Sequence, residues 1–341
     1  MILAESGTAD TLSAGGGSDT IRATANDLIN AGGGPSLVVS AAGGADTLSF
    51  AHDTAPGAGV TVSLGASGWQ ATGFGSVSLS GALTGLIGSS GADSLTGSAA
   101  TTLLSGGAGG ADTLDGGGGG TAAAPETVIG GAGGASILTF ANDTVGGVSV
   151  NLNPDSVTGY GSVTGYGVER VSGVHNLIGS AGGNDTLIGD NFGDAITVNA
   201  GGTRVSCGAG DDTVTAGAAF VASMVATPSG CSVDGGGGSN TLVLDWRGSS
   251  SAASFDLGSV YSAIRNVTTL DLSNNTSRAS TYTISADEIN AMTGGAALTL
   301  KLGANDHLNF ALTLGEFIQA GPQNTTYIAD ATHTIATLHV T

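Results

Sequence analysis

A single aliphatic residue recurs every nine positions through residues 180–215. The consecutive segments SAGGNDTLI, GDNFGDAIT, VNAGGTRVS and CGAGDDTVT carry it at the same place, as Leu187, Ile196, Val205 and Val214. A helix has a period of 3.6 residues and a hairpin strand a period of two, so neither produces this spacing. A short fixed period instead predicts a solenoid, in which each coil stacks on the one before it.

Each repeat combines a turn with a very short strand. In the first repeat the turn contains glycine, which tolerates the positive φ angles of a sharp bend. The last three residues, Thr186, Leu187 and Ile188, predict a strand whose middle side chain points inward. Such a strand gains hydrogen bonds and a buried aliphatic row only when neighbouring coils stack above and below it.

A polar residue stands two positions before each of these aliphatic residues. The four repeats place Asp185, Asp194, Thr203 and Asp212 there. Stacked turns therefore bring carboxylates and backbone carbonyls close together, and oxygen ligands of this kind suit Ca²⁺. Asp also caps nearby amides in glycine-rich turns, so turn chemistry without a metal is the alternative interpretation.

The spacing resembles the GGxGxDxUx repeat of RTX (repeats-in-toxin) proteins, which form calcium-bound parallel β-rolls. In that family one ion is shared by turns two repeats apart. The resemblance implies that Asp194 and Asp212 bracket one site. Asp185 pairs with Thr203, which lacks a carboxylate, so we expect that site to be weak or absent.

Similar turns occur elsewhere in the chain, although the register degenerates around residues 26–35. The resemblance implies a few calcium ions rather than a continuous row. The carboxylate ligands it implies are Asp10, Asp19, Asp46, Asp93, Asp112, Asp185, Asp194 and Asp212. Backbone carbonyl ligands are expected near Gly16, Gly91, Gly109, Gly183, Gly193 and Gly210.

A longer repeat overlies the nonapeptides, because residues 43–64 are echoed by residues 133–152. Residues 60–64 and 148–152 alternate apolar and polar side chains and predict strands. We therefore expect one solenoid block over residues 1–132 and a second over residues 133–240, with an insertion at 216–230.

Glycine becomes less frequent after about residue 242, which predicts a separate β-rich capping and assembly module over residues 241–341. Ser285 and Glu288 form a capping-box pattern that predicts one short helix ending at Gly294. The runs ISADEINAM and LKLGANDHLNF resemble the β-rich module that closes large RTX adhesins. Strands are predicted at 266–272, 281–285, 297–302, 311–314, 325–328 and 335–340.

The chain has 27 acidic and 7 basic residues, for a net charge of −20. A basic face for nucleic acid cannot be built from this composition. Bound divalent cations would relieve the self-repulsion of so acidic a chain. No run of eighteen apolar residues predicts a transmembrane helix.

The two cysteines, Cys207 and Cys231, flank the insertion, and each opens a segment of similar register. If they stack on neighbouring coils, they close a disulfide. Two buried free thiols are the other possibility.

The predicted fold class is all-β: a right-handed parallel β-roll or β-helix solenoid with a β-rich C-terminal cap containing one short helix. The resemblance implies a secreted, calcium-binding structural protein of a bacterial cell surface, exported by type I machinery. An S-layer subunit, a surface filament and an adhesin segment all fit, and each self-assembles as a homo-oligomer or polymer.

Two other functions stay open. The roll could serve as the secretion and folding module of a polysaccharide-active enzyme, or the chain could form a phage or appendage fibre. Seven basic residues make a catalytic cluster hard to assemble, so we expect no enzymatic activity and no catalytic residues. A cell-surface polysaccharide could stack on the aromatic residues Trp69, Trp246, Tyr160 and Tyr166, although ordinary packing of the longer coils is favoured.

Overall fold

The structure is a computed structural model that describes residues 1–3, 9–52, 59–131, 135–245, 254–274, 280–320, 325–329 and 334–341. Its contacts divide the chain into two compact units. The first comprises Met1–Phe140 and Ser149–Asn176, and the second comprises Ala141–Val148 and Leu177–Thr341. The boundary after Asn176 falls inside the predicted block 133–240, whereas the predicted border at 132/133 lies outside the described residues.

The strands up to residue 172 are β1 Ile2–Leu3, β2 Thr11–Ser13, β3 Ser18–Ala23, β4 Leu28–Asn30, β5 Ser36–Ser49, β6 Thr61–Ser63, β7 Trp69–Ala71, β8 Ser76–Ile87, β9 Ser94–Thr96, β10 Leu103–Ser105, β11 Thr113–Asp115, β12 Glu126–Ile129, β13 Ile137–Thr139, β14 Ser149–Asn151, β15 Gly161–Thr164 and β16 Val168–Ser172. All of them belong to the first unit.

The remaining strands are β17 Asn176–Ile178, β18 Thr186–Ile188, β19 Ala195–Val198, β20 Arg204–Ser206, β21 Thr213–Ala216, β22 Ser232–Asp234, β23 Thr241–Leu244, β24 Ser254–Asp256, β25 Ile264–Arg265, β26 Thr269–Asp271, β27 Thr281–Ile284, β28 Leu298–Lys301, β29 His307–Phe310, β30 Phe317–Ala320, β31 Thr325–Ala329 and β32 Thr334–Val340. The helices are α1 Ala218–Ala226 and α2 Ala286–Thr293, with short 3₁₀ helices at Pro228–Gly230, Leu257–Ser259 and Tyr261–Ala263.

In the second unit the chain alternates between two parallel sheets. β18, β20, β22 and β25 pair in one sheet, while β19, β21, β23, β26, β28 and β32 pair in the other. Leu187 aligns with Val205, and Ile196 aligns with Val214. Each of these coils therefore contains two nonapeptides, as expected for a β-roll.

The first unit uses the same arrangement with longer loops between some strands. β8, β10, β12 and β16 are paired in parallel in one sheet, and β6, β9, β11 and β13 in the other. Antiparallel pairing enters where β7 folds back on β8 and where β15 pairs with β14 and β16. The protein is thus mainly β, with long parallel sheets, and this confirms the predicted fold class.

The aliphatic residues that define the period form the core. Leu187, Ile196, Val205 and Val214 are each at most 2% exposed. In the strand Thr186–Ile188 only the middle side chain is buried, as the sequence predicts. Because each of these four strands contributes one such residue to the core, the aliphatic row is continuous only when coils stack.

The insertion at 216–230 contains helix α1, which the sequence analysis did not predict. Phe220, Val221 and Met224 bury one side of this helix. The strands on either side keep their register, because Val214 pairs directly with Leu242. The extra residues therefore fold outside the sheet instead of shifting it.

The C-terminal segment continues the parallel sheets, since β23, β26 and β28 pair in order with β21. Helix α2 begins at the predicted capping box of Ser285 and Glu288, and it ends at Gly294, whose φ is 66°. The predicted strand at 311–314 is wrong. A turn occupies that place, in which the Thr313 carbonyl accepts the Glu316 N–H, and Leu314 projects fully into solvent.

We expect Leu187→Ala to lower the free energy of unfolding by about 2–5 kcal/mol, because it opens a cavity in the aliphatic row. Leu314→Ala is the matched control, since that side chain is fully exposed. Urea unfolding measures both variants. Equal effects of the two substitutions would contradict the assignment of Leu187 to the core.

Candidate metal centre

The residue two positions before each buried aliphatic residue links neighbouring coils. The Asp194 N–H donates to Asp212 Oδ1 at 2.8 Å, and the Asp212 N–H donates to Asn240 Oδ1 at 3.0 Å. The first unit repeats this link where the Asp93 N–H donates to Asp112 Oδ1 at 3.0 Å. We call this series of hydrogen bonds the ladder. A ladder position is the residue two places before a buried aliphatic residue. The ladder satisfies backbone amides that would otherwise be buried without an acceptor.

The ladder carboxylates also cap the turns that precede them. Ser89 N–H donates to Asp93 Oδ2 at 2.7 Å, and Asp190 N–H donates to Asp194 Oδ2 at 2.8 Å. These contacts are the turn chemistry that competes with metal binding as an explanation for Asp at this position. Capping by these N–H groups therefore occupies one carboxylate oxygen of Asp93 and one of Asp194.

Some ladder carboxylates have little capacity left for a cation. Asp185 Oδ1 accepts the Val148 N–H at 3.1 Å and the Ser180 hydroxyl at 2.7 Å, while Oδ2 accepts the Ser180 N–H at 2.9 Å. The Asp185 N–H itself donates to Thr203 Oγ1 at 3.3 Å. These contacts occupy most of the hydrogen-bonding capacity of the Asp185 carboxylate, and the weak or missing site at Asp185 and Thr203 stays a prediction.

The pair Asp194 and Asp212 fits a divalent cation better. Asp194 Oδ1 and Asp212 Oδ2 are buried oxygens that have no hydrogen-bond partner among the described residues, and the two residues lie on stacked coils joined by the ladder. In the first unit, Asp46 Oδ2 is likewise a buried oxygen with no hydrogen-bond partner among the described residues. Carboxylate oxygens with free lone pairs, close to backbone carbonyls, are the donors that Ca²⁺ prefers.

Burial raises the pKa of several of these groups. It raises the pKa of Asp194 to about 7, and the neighbouring charges of Asp190 and Asp212 add to the effect. Burial is also the largest cause of the raised pKa values of Asp46, Asp112 and Asp212. A nearby cation would reverse the cost of ionising these carboxylates.

The N-terminal ladder differs from the predicted one. Asp10 and Asp19 are both half-buried, and the Asp10 N–H donates to Asp27 Oδ1 at 2.9 Å. The Asp27 N–H in turn donates to Asp46 Oδ1 at 2.9 Å. Asp27 was not predicted from the sequence because it lies where the glycine pattern degenerates. Its signal is the buried Ile29 two positions later.

The predicted carbonyl ligands fall into two groups. The carbonyls of Gly91, Gly109, Gly183 and Gly210 face a glycine of the neighbouring coil, and a Cβ on that glycine would lie 2.0–3.1 Å from the oxygen. Gly16 and Gly193 lie at exposed positions. Close stacking of backbone on backbone therefore explains much of the glycine in these turns.

The two cysteines are buried free thiols, so the disulfide alternative is not the observed one. Ser206 aligns with Asp234, which places Cys207 after one strand and Cys231 before its neighbour. An offset of about four residues corresponds to about 13 Å along the strands. A disulfide requires Cα atoms within about 7 Å. Cys231 Sγ instead donates to Ser223 Oγ at 3.3 Å.

Two glutamates that the sequence analysis did not single out also hold ladder positions. Glu126 precedes the buried Val128 by two residues, and Glu169 precedes the buried Val171 by two. The register of β12 and β16 places the two glutamates side by side. Their signal in the sequence was an acidic residue at the ladder position, with Glu in place of Asp.

The aromatic residues considered for polysaccharide stacking have separate surroundings. Trp69 is 58% exposed, whereas the Tyr166 ring packs edge-on against Phe140 with centroids 6.2 Å apart. Tyr160 is half-buried, and Trp246 lies outside the described residues.

No family model and no curated protein matches the sequence. Among the described residues, neither helix has the length and apolar character needed to cross a membrane.

The raised pKa of Asp194 predicts a pH dependence of stability in chelator. An unfolded Asp titrates near 3.8 and the folded residue near 7, so the folded state binds more protons in between. The free energy of unfolding should therefore fall as pH rises through this window and level off above it. Asp194→Asn should weaken this fall.

Urea unfolding of the metal-free protein at pH values from about 4 to 8 measures the effect. Asp287→Asn is the control, because it removes an exposed acid from the same unit. If Asp194→Asn keeps the full pH dependence of the unchanged protein, the raised pKa of Asp194 is refuted.

Proposed function

We propose that the protein is a calcium-binding structural protein of an extracellular bacterial surface, related in design to RTX β-rolls and without enzymatic activity. The observation that carries the proposal is the pair Asp194 and Asp212. These buried carboxylates lie on stacked coils, and each keeps one oxygen without a hydrogen-bond partner. A cation between such coils would stabilise both at once.

The composition and fold support a structural role for that cation. Strands of three or four residues depend on their neighbours, so anything that joins coils stabilises the whole stack. A chain with a net charge of −20 also gains stability when cations offset its self-repulsion. Calcium would then act as a folding ligand that is abundant outside cells.

An exposed sheet edge supports self-assembly. β30, Phe317–Ala320, stands at the end of its sheet, and all four of its residues are exposed. Phe317 and Ile318 are each 46% exposed. An apolar edge strand with unused backbone donors and acceptors offers a pairing surface to another copy. An S-layer, a filament or an adhesin segment uses such contacts.

Calcium should raise the melting temperature of the chelated protein at concentrations of about 10⁻⁴–10⁻³ M, a range typical of extracellular sites. The double variant Asp194→Asn and Asp212→Asn should lose a large part of this increase, because it removes the charges of the proposed ligands. Differential scanning calorimetry during calcium titration measures the increase.

The control is the double variant Asp256→Asn and Asp287→Asn, which removes the same charge from exposed positions in the same unit. It should retain the calcium response of the unchanged protein. A melting temperature that ignores calcium in the unchanged protein would refute the calcium-binding role.

Assembly should depend on the edge strand. Ile318→Lys places a charge on β30 and should prevent growth of ordered particles in calcium, while the melting temperature in calcium stays unchanged. Leu312→Lys is the matched control, because Leu312 is similarly exposed but lies outside any strand. Light scattering and electron microscopy follow assembly. Normal assembly of Ile318→Lys would exclude β30 as the contact.

A further inference from the structure

Glu126 and Glu169 form a buried pair of carboxylates in the first unit. They are 0% and 1% exposed, and the parallel register of their strands places them opposite one another. All four of their carboxylate oxygens are buried, and none has a hydrogen-bond partner in the part of the chain that the structure describes. An ionised carboxylate in such a place is costly unless it is paired or bound to a cation.

Both side chains point at a glycine loop, Gly116–Gly120. A Cβ on Gly116 would lie 2.2 Å from Glu169 Oε1 and 3.0 Å from Glu126 Oε2. The two glutamate oxygens therefore approach the same place beside the loop. A Cβ on Gly116 would clash with Glu169 Oε1, so glycine at this position allows both carboxylates to approach the loop closely.

Backbone carbonyls converge on the same loop. A Cβ on Gly119 would lie 2.6 Å from Glu126 Oε2, 2.8 Å from the Thr101 carbonyl oxygen and 3.0 Å from the Ser98 carbonyl oxygen. Three oxygens from three segments therefore lie close to one another beside Gly119. This mixture of carboxylate and carbonyl oxygens is a cation-binding set.

The electrostatic environment of the pair favours a positive charge. Burial, followed by the charges of Glu169 and Asp115, raises the pKa of Glu126 to about 9. Burial, followed by the charge of Asp115, raises the pKa of Glu169 to about 8. Asp115 is 3% exposed and accepts the Gly117 N–H at 2.9 Å. Three acidic side chains are therefore enclosed together.

We propose that Glu126 and Glu169, with the carbonyl oxygens of Ser98 and Thr101, bind a divalent cation of the Ca²⁺ type, at a site separate from the Asp ladder. Ca²⁺ accepts irregular sets of six to eight oxygens at about 2.3–2.6 Å. Mg²⁺ demands near-ideal octahedral geometry and usually keeps several waters. The buried, irregular oxygen set therefore selects the larger ion.

The first test uses the unchanged protein with ¹³C at the side-chain carboxyl of its five glutamates, Glu5, Glu126, Glu169, Glu288 and Glu316. Addition of CaCl₂ to the chelated protein at pH 7.5 should shift two of the five resonances, and MgCl₂ should shift them less. If calcium moves neither buried resonance, the pair is merely protonated and the proposal is overturned.

The second test counts bound calcium by titration calorimetry in the double variant Glu126→Gln and Glu169→Gln. It should bind one ion fewer than the unchanged protein, while Glu288→Gln with Glu316→Gln should bind the full number. The ladder variant Asp194→Asn and Asp212→Asn should keep the glutamate site. A failure of the ladder proposal can therefore be told apart from a failure of the glutamate proposal. An unchanged number of bound ions in the glutamate variant overturns the inference. If that variant does not fold, the ¹³C experiment on the unchanged protein decides whether the glutamates bind calcium.

Discussion

The fold depends on a hydrogen bond between successive coils, in which a backbone N–H at the ladder position donates to a side-chain oxygen one coil further on. The acceptor is a carboxylate at Asp212, an amide at Asn240 and a hydroxyl at Thr203 or Ser136. Stacking therefore requires only an oxygen at this position, and a negative charge is not needed for it. The excess of Asp over neutral acceptors therefore has another cause, and the proposed cation binding would account for it.

Buried charge is the cost that such a cation would offset. Asp194 and Asp212 each carry an oxygen that neither stacking nor turn capping uses. Burial, together with the charges of Asp190 and Asp212, raises the pKa of Asp194 to about 7, so without a cation the folded state retains a proton to a higher pH. With a cation the same carboxylates become ligands, and binding energy becomes folding energy. Exchange of a proton for a metal ion would make the free energy of unfolding of these coils depend on pH and on the cation concentration.

The sequence predicted those parts of the molecule that local spacing controls. Leu187 and Val205 belong to unbroken repeats. Their nine-residue period was therefore enough to predict the stacked coils, the short strands and the buried side chains. Helix α1 escaped prediction because residues 218–226 are almost uniformly apolar and no side chain caps the start of the helix at Gly217. The pairing of Glu126 with Glu169 was hidden for a related reason. Residues 130–167 separate their strands, and only the stacking register makes them neighbours.

The two glutamates also show how one methylene group alters the role of a ladder position. An Asp side chain is short enough for its carboxylate to meet the amide of the adjacent coil, as Asp112 does with Asp93. A Glu carboxylate extends further from the same backbone position, and in Glu126 and Glu169 it reaches the glycine loop instead. The longer side chain leaves both oxygens free of stacking bonds. Within one backbone register, Asp112 thus links adjacent coils, whereas Glu126 and Glu169 direct their carboxylates to the glycine loop, where the proposed cation would bind.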